Sequence, residues 1–343
     1  MGRNVSWVRI PRPPPQKGVT SQRKGIALAL RLPDRWIWDS WYIWDGDVCH
    51  AFYLCASRGL GDPNRRHRNT NVGHAVSKDL KTWEILPDAL SPSESPAFDS
   101  WTTWTGSVVK GDDGRWWMFY TGTSRETEGK VQTIGAAVSD DLITWHKLDN
   151  PLVVADPLNY ETIKDDTWSE EHWRDPWVYK DPSDNLWHML ITARGKNRGQ
   201  ADAGVLGHAV SKDMISWEVL QPLSDVGLGF ANLEVFQRVT VDEVPLLIFC
   251  CGWRELDVDR INAQGKVDYT YSVVVQNGIK GANFAHAKPF LPGELYAGRV
   301  IQKPSGESFL IGFINFRDGK FVGELSDPIP VTANFSEGLI RRD

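Results

Sequence analysis

One eleven-residue pattern occurs three times along the chain: GHAVSKDLKTW at residues 73–83, GAAVSDDLITW at 135–145 and GHAVSKDMISW at 207–217. The shared form is G-x-A-V-S-x-D-h-x-[TS]-W, with h apolar, and the starts lie 62 and 72 residues apart. That spacing is too long for a solenoid unit and suits a propeller blade with generous loops. Small and branched residues alternate in the first half, as in a tightly packed strand. Ser77, Asp79 and their counterparts can bond nearby backbone N–H groups and so form the turn that follows. Leu80, Trp83 and their counterparts are then expected to pack between neighbouring sheets.

Strand pairs joined by Asp/Gly turns fill the intervals. Residues 41–44 and 48–54 flank Asp45-Gly46-Asp47, 107–110 and 115–120 flank 111–114, and 177–179 and 186–191 flank 181–185. Apolar alternation on both sides of such a turn predicts a hairpin. Less regular copies follow at 235–239 with 245–250 and at 298–302 with 308–313. Innermost strands are thus expected to begin near Asp39, Gly106, Asp175, Glu234 and Gly298, at five similar intervals. The predicted fold is all-β: a five-bladed β-propeller over residues 33–343, a single catalytic domain of four-stranded sheets around a central channel.

Residues 1–32 read differently. Arg3, Arg9, Arg12, Lys17, Arg23, Lys24 and Arg31 are basic, no acidic residue precedes Asp34, and Pro11, Pro13, Pro14 and Pro15 interrupt the stretch. The apolar piece at 26–30 is too short for a signal-peptide core. We expect an extended basic N-terminal arm lying on the body or on a second copy of the chain, which would make a homo-oligomer. The expected compartment is cytoplasmic. The net charge of −6 argues against a nucleic-acid partner, and no apolar run approaches the length needed to span a membrane. Cys49, Cys55, Cys250 and Cys251 have neither disulfide-framework nor metal-ligand spacing, so buried free thiols are expected.

Three of the five expected strand starts carry a carboxylate: Asp39 in Trp38-Asp-Ser-Trp41, Asp175 in Trp173-Arg-Asp-Pro176, and Glu234 in Asn232-Leu-Glu-Val-Phe236. The repeat places them around one axis although Asp39 and Glu234 are 195 residues apart. Carboxyl groups flanking one scissile bond are what glycoside hydrolysis requires. Asp39 would be the nucleophile and Glu234 the acid/base. Asp175 would hydrogen-bond sugar hydroxyls, oriented by the planar fork of Arg174. Retention of configuration predicts carboxyls about 5–5.5 Å apart, inversion about 6.5–9.5 Å.

The same residues carry a resemblance. The chain resembles the fructan-active glycosidases of glycoside hydrolase families 32 and 68, the invertase, levanase and levansucrase group, over about residues 33–330. Trp38-Asp39-Ser40-Trp41 is similar to the levansucrase nucleophile motif, and Arg174-Asp175-Pro176 to the Arg-Asp-Pro motif that binds fructosyl hydroxyls. Glu234 falls where those families have their acid/base, and residues 104–107 and 119–122 are similar to their second-blade segments. The resemblance implies a retaining glycosidase on β-fructofuranosides such as sucrose or short fructo-oligosaccharides, with fructosyl transfer as a further capacity. The mechanism requires no cofactor, and the sequence shows no metal-ligand constellation. The chain departs from the invertase Trp-x-Asn-Asp-Pro-Asn pattern, with Trp38 at its Asn position. It also lacks the Cys that commonly follows the invertase acid/base, and a second β-sandwich domain is not expected after the fifth blade.

Other residues are candidates for the sugar-binding mouth. Trp38, Trp41 and Trp104 could stack on apolar sugar faces, and Trp101, Ser107 and Asp99 lie near the second-blade strand. Glu170, Glu171 and His172 precede the Arg-Asp-Pro turn and either line the mouth or form a solvated loop; residues 65–68 form a basic loop after the first blade, ordinarily a solvated face, with a neighbour's acidic surface or a polar oligosaccharide as the alternative partner. The 17 tryptophans, unusual beside 4 methionines, thus divide into two expected groups. Trp83, Trp145 and Trp217 would lock blades, whereas Trp36, Trp38, Trp41, Trp101, Trp104 and Trp173 would crowd the site. Two other readings of the residues stand beside the first: a glycosidase on another furanoside, such as an arabinofuranoside, on the related family 43 propeller, and a non-catalytic carbohydrate-binding propeller.

Overall fold

The computed structural model describes residues 7–9, 30–196, 201–276, 278–292 and 295–342. Five antiparallel sheets follow one another along the chain as the blades of a β-propeller. Blade 1 comprises Arg35–Asp45, Val48–Ser57, Asn71–Ser77 and Glu84–Leu90. Blade 2 comprises Thr102–Lys110, Trp116–Thr123, Gln132–Ser139 and His146–Leu148. Blade 3 comprises Trp173–Lys180, Trp187–Arg194, Gly204–Ser211 and Trp217–Leu220. Blade 4 comprises Glu234–Val241, Val244–Cys251, Tyr269–Val274 and Lys288–Pro292. Blade 5 comprises Leu295–Gln302, Ser308–Arg317, Ile329–Asn334 and Gly338–Arg341, with Lys320–Leu325 pairing beside the second strand. Of the expected arm, Trp7–Arg9 pairs antiparallel with the outer strand His146–Leu148, and residues 1–6 and 10–29 lie outside the described residues.

The repeated pattern builds the turn expected of it, in three copies. In the first, Ser77 Oγ accepts the N–H groups of Asp79 and Leu80, while Asp79 Oδ1 accepts those of Lys81 and Thr82. The same side chains recur at Ser139/Asp141 and Ser211/Asp213. These bonds hold the apolar residue in the left-handed region, with φ of 66° at Leu80, 61° at Leu142 and 60° at Met214, and bury its side chain. Trp145 of blade 2 then meets Phe52 of blade 1 edge-on at 5.6 Å, and Trp217 of blade 3 meets Phe119 of blade 2 in the same way. Trp83 departs from the expectation, because it tilts on Tyr42 of its own blade. The core is therefore distributed in clusters between successive blades, with blade 1 sharing the largest with blades 2 and 5.

The innermost strands start earlier than expected in blades 1, 2, 3 and 5, at Arg35, Thr102, Trp173 and Leu295. The positions singled out from the sequence are instead the places where each strand breaks register. A shift falls between Trp38 and Ser40, Trp104 and Gly106, Arg174 and Trp177, Glu234 and Gln237, and Tyr296 and Arg299. The extra residue of a bulge bends its strand and re-aims a side chain. Four bulge residues have positive φ: Asp39 at 29°, Asp175 at 57°, Val235 at 56° and Ala297 at 49°. Such angles are costly away from glycine, most of all at a β-branched valine, and cluster where structure is committed to function. In blade 2 a Cβ on Gly106 would lie 2.0 Å from the Phe119 carbonyl oxygen, so glycine follows Thr105 because nothing larger fits. The five-fold phase continues to the channel and defines the site.

Candidate active site

Two successive residues of each innermost strand share one phase, one before the register shift and one at it. The residues before the bulge are Trp38, Trp104, Arg174, Glu234 and Tyr296, and those at the bulge are Asp39, Thr105, Asp175, Val235 and Ala297. The three predicted acids therefore come together, but at strand bulges: Asp39 and Asp175 at one level and Glu234 one residue above. Each is held by a donor from another strand, in blade 1 and blade 4 from a neighbouring blade and in blade 3 from the next strand of the same blade. Thr105 Oγ1 donates to Asp39 Oδ2 at 2.5 Å, and Thr192 Oγ1 donates to Asp175 Oδ2 at 3.0 Å. The Asp175 amide donates to Thr121 Oγ1 at 3.0 Å, tying blade 3 to blade 2. Arg174 Nη2 donates to Glu234 Oε1 at 2.6 Å, and its Nε stands 3.6 Å from Asp175 Oδ2. Tyr296 OH donates to Glu234 Oε2 at 2.6 Å.

Burial and mutual repulsion set the protonation of this cluster. Asp39 is pushed up to about 7, first by loss of hydration and then by the Asp175 charge, with the Thr105 hydrogen bond and the Arg299 guanidinium opposing. Asp175 is raised to about 6 by burial, against the pull of Arg174. Such carboxyls, poised near neutrality by their surroundings, mark functional sites more often than structural ones. Arg174 is held strongly protonated by Glu234 and Asp175. It bridges the two acids as the predicted planar fork.

The structure corrects several candidates from the sequence. Asp99 is 1% exposed, accepts a hydrogen bond from Tyr120 OH and pairs with the buried Lys147 ammonium, so it braces blade 2 and does not reach the mouth. Ser107 accepts the Val178 N–H at 3.1 Å and joins blade 2 to blade 3. Trp41 is 1% exposed and stacks on Phe52 in the core. Trp36 and Trp173 are likewise core residues. Trp38 is 3% exposed, with His67 against its edge and the Arg66 guanidinium over its ring. Side-chain volume explains these outcomes: an indole beside a bulge is large enough to fill the space between blades. Trp104 and Trp101 remain partly exposed beneath Arg68, and Trp104 Nε1 donates to the His67 carbonyl at 2.7 Å.

Residues beyond the three acids and Arg174 join the site, some of them candidates from the sequence and some not. The basic loop forms the 3-10 turn Pro63–Arg68, folds over Trp38 and Trp104, and brings Arg66 and His67 to the mouth. Of the acidic residues before Arg174, Glu170 pairs with Arg68 at 2.9 Å, and Glu171 and His172 are buried. His172 Nδ1 contacts Asn232 Oδ1, whose amide donates to Glu255 Oε1 at 2.8 Å. Glu255 is raised by burial and by the charge of Glu234. Thr105 and Tyr296 carried a usable signal, since aligning Trp104-Thr105-Gly106 with Tyr296-Ala297-Gly298 puts them at the same phase as the acids. Glu255 carried none, because it lies on the turn Trp253–Glu255 outside any repeat.

A five-bladed propeller whose innermost strands bring an aspartate, an Arg-Asp pair and a glutamate to one mouth has the architecture of the carbohydrate-active propellers. The profile of the glycosyl hydrolases family 32 N-terminal domain matches residues 41–322, a span that contains Asp175 and Glu234 and begins just past Asp39. The chain belongs to glycoside hydrolase family 32. It is 30% identical over 260 residues to the sucrose-6-phosphate hydrolase of Bacillus subtilis, covering 72% of this chain and 48% of that protein. It is 36% identical over 158 residues to an Arabidopsis thaliana insoluble β-fructofuranosidase isoenzyme, CWINV2, covering 45% and 24%. The chain thus spans about half the length, or less, of these curated relatives. Among solved structures, an inulosucrase from Halalkalicoccus jeotgali bound to kestose superposes with a TM-score of 0.74 at 22% identity, covering 92% of this chain and 90% of that one. Bacillus subtilis levansucrase gives 0.69 at 15% identity, covering 91% and 87%. These two likenesses establish the fold.

Proposed function

We propose that this protein is a retaining glycosidase acting on β-fructofuranosides, sucrose or short fructo-oligosaccharides, with fructosyl transfer to a second sugar as a side capacity. The observation that carries the proposal is the convergence of Asp39, Asp175 and Glu234 from three blades, each held by a donor from another strand. In this reading Asp39 attacks the anomeric carbon and forms a covalent fructosyl-enzyme. Glu234 gives a proton to the departing oxygen and then takes one from the incoming water or sugar hydroxyl. Arg174 and Tyr296 fix the carboxyl of Glu234 for both steps, and Arg174 releases part of its hold as the proton arrives. Asp175 accepts hydrogen bonds from fructosyl hydroxyls that strengthen as the ring gains oxocarbenium character. Trp104, Trp101 and His67 offer the wall against which an apolar sugar face packs. The names of the relatives support the substrate class, and the four buried free thiols suit the reducing cytoplasm proposed as its compartment.

The test is incubation of wild-type protein with sucrose, inulin-type and levan-type oligosaccharides and aryl arabinofuranosides, with products separated by chromatography. Release or transfer of fructose, with the first-formed anomer by NMR retaining configuration, is expected. Cleavage of the arabinoside alone overturns the substrate class, and inversion overturns the covalent step.

A further inference from the structure

The first and third copies of the repeat read Gly-His-Ala-Val where the middle copy reads Gly-Ala-Ala-Val, and the turn that follows makes no use of the histidine. In blade 1 that residue, His74, lies in the third strand and meets His50 of the second. His50 Nδ1 and His74 Nε2 share a hydrogen bond at 3.0 Å. Blade 3 repeats the pair, with His188 Nδ1 and His208 Nε2 2.9 Å apart. The register puts both pairs at one phase, His50 opposite Val76 and His188 opposite Val210. In blade 2 the same two positions hold Trp117, opposite Val138, and Ala136. One indole and one methyl fill the place of two imidazoles there, so packing alone does not call for histidine.

The two histidine pairs differ in what surrounds them. His188 Nε2 also stands 3.0 Å from Oδ2 of the exposed Asp184, which supplies counter-charge. The blade 1 pair is more enclosed: His50 is 7% and His74 1% exposed, and His74 Nδ1 is buried without a partner among the described residues. The charged groups facing this pair are Asp45 for His50 and Asp141 for His74. Asp45 lies in solvent at the hairpin turn, and Asp141 is committed to the backbone of its own turn in blade 2. A proton added to the pair has no good place. It leaves either two N–H groups opposed across the shared bond or the His74 Nδ1–H buried without an acceptor, and a second proton opposes two cations. Burial accordingly pushes His74 down to about 3, helped by His50, and holds His50 below the usual imidazole range.

His74 stacks on Phe52 at 4.5 Å, and Phe52 in turn stacks on Trp41 at 6.3 Å and takes the edge of Trp145 from blade 2 at 5.6 Å. Trp41 lies two residues past Asp39, and the bond from Thr105 to Asp39 crosses the same junction of blades 1 and 2. We propose that the His50–His74 pair is an acid-release catch, which holds the junction of blades 1 and 2 at neutral pH and lets it go, with the setting of Asp39, as the medium turns acid. The direction follows from proton linkage. An imidazole in the opened chain takes up its proton at about 6.5, whereas the folded pair resists it to lower pH. The opened chain therefore binds more protons, and stability present at neutral pH is lost as pH falls below about 6.5. That turnover is lost with the junction rests on the role proposed above for Asp39, whereas the catch itself does not.

The test compares the whole chain with its His50→Trp, His74→Ala double variant, which gives blade 1 the pair that blade 2 already uses. Unfolding in denaturant is followed by circular dichroism from about pH 7.5 to about pH 5, and no substrate is needed. Over that interval the unfolding equilibrium constant should rise about thirtyfold or more further in the wild type than in the variant, the effect of one imidazole that titrates at about 6.5 only in the opened chain. The other histidines are common to both proteins and cancel. Equal pH dependence in the two proteins overturns the proposal. If the double variant does not fold, the imidazole nitrogen NMR shifts of the wild type decide. Both rings should stay neutral until the tertiary signals of Phe52 and Trp145 are lost, and a proton taken up by either ring in an intact fold overturns the catch. Sucrose turnover that persists after the junction has opened overturns only the link to Asp39, and a chain that turns over no fructoside at any pH refutes the proposed reaction without touching the unfolding comparison.

Discussion

Thr105→Val removes one hydroxyl and keeps the shape of the side chain, at a position 1% exposed in the innermost strand of blade 2. The lost hydrogen bond is the 2.5 Å contact from Thr105 Oγ1 to Asp39 Oδ2. It donates to the charged form of Asp39 and opposes a rise that already reaches about 7. A hydrogen bond to a charged group contributes about 1.5–3 kcal/mol, and 1.4 kcal/mol corresponds to about one pKa unit. The substitution should therefore move the Asp39 ionisation upward by about one to two units. An ionised nucleophile is required, so activity rises with pH through this ionisation and the acid limb must move toward higher pH. The assay is kcat/KM for sucrose across the pH range, in wild type and variant. On the acid plateau slope the variant should lose about tenfold or more, and near the alkaline side it should recover most of the wild-type rate. An acid limb that stays in place, or moves to lower pH, refutes the assignment of Asp39 as the group whose ionisation limits the reaction.

Asp99→Ala leaves the Lys147 ammonium buried without its partner and should cost about 3–5 kcal/mol of stability in denaturant unfolding, while KM for the surviving fold stays unchanged; a raised KM with normal stability would return Asp99 to the sugar site. Arg174→Lys loses the fork that bridges Glu234 and Asp175 and should lower kcat/KM about a hundredfold, read from initial rates, with the melting temperature little changed. Asp141→Ala strips the acceptor from two backbone N–H groups of the blade 2 turn and should cost about 1–3 kcal/mol with kcat intact, measured by calorimetry and initial rates. Trp217→Ala and Trp104→Ala should separate: the first, wedged on Phe119, loses about 3–5 kcal/mol of stability, and the second loses sugar affinity first.

The blade count was readable because each copy of the repeat carries its own turn chemistry. Ser77, Asp79 and their equivalents need no distant partner to form their bonds, so their meaning survives in sequence. The three acids were readable for a related reason, since the repeat fixes their phase around the axis. What escaped was set by contacts between blades. Whether Trp41 faces sugar or core depends on the bulge at Asp39, which reverses the alternation of the strand and cannot be seen from one strand alone. Asp99 resembled Asp39 in its local Asp-Ser-Trp setting, yet Lys147, 48 residues on, claims its carboxylate. The Pro63–Arg68 loop read as a charge run in solvent, because nothing local shows that Trp38, Trp104 and Phe321 supply faces for its cations. Glu255 reached the site only through a turn without repeat signal.

The central claim is that Asp39 carries the sugar between the two halves of the reaction. Glu234→Gln protein, which can form the fructosyl-enzyme from a fructoside with a good leaving group but cannot activate water to release it, should accumulate that intermediate. Acid quenching, proteolysis and mass spectrometry should then find one anhydrofructosyl unit on the peptide containing Asp39. The same unit on Asp175, or steady turnover with an unmodified Asp39 peptide, would contradict the account.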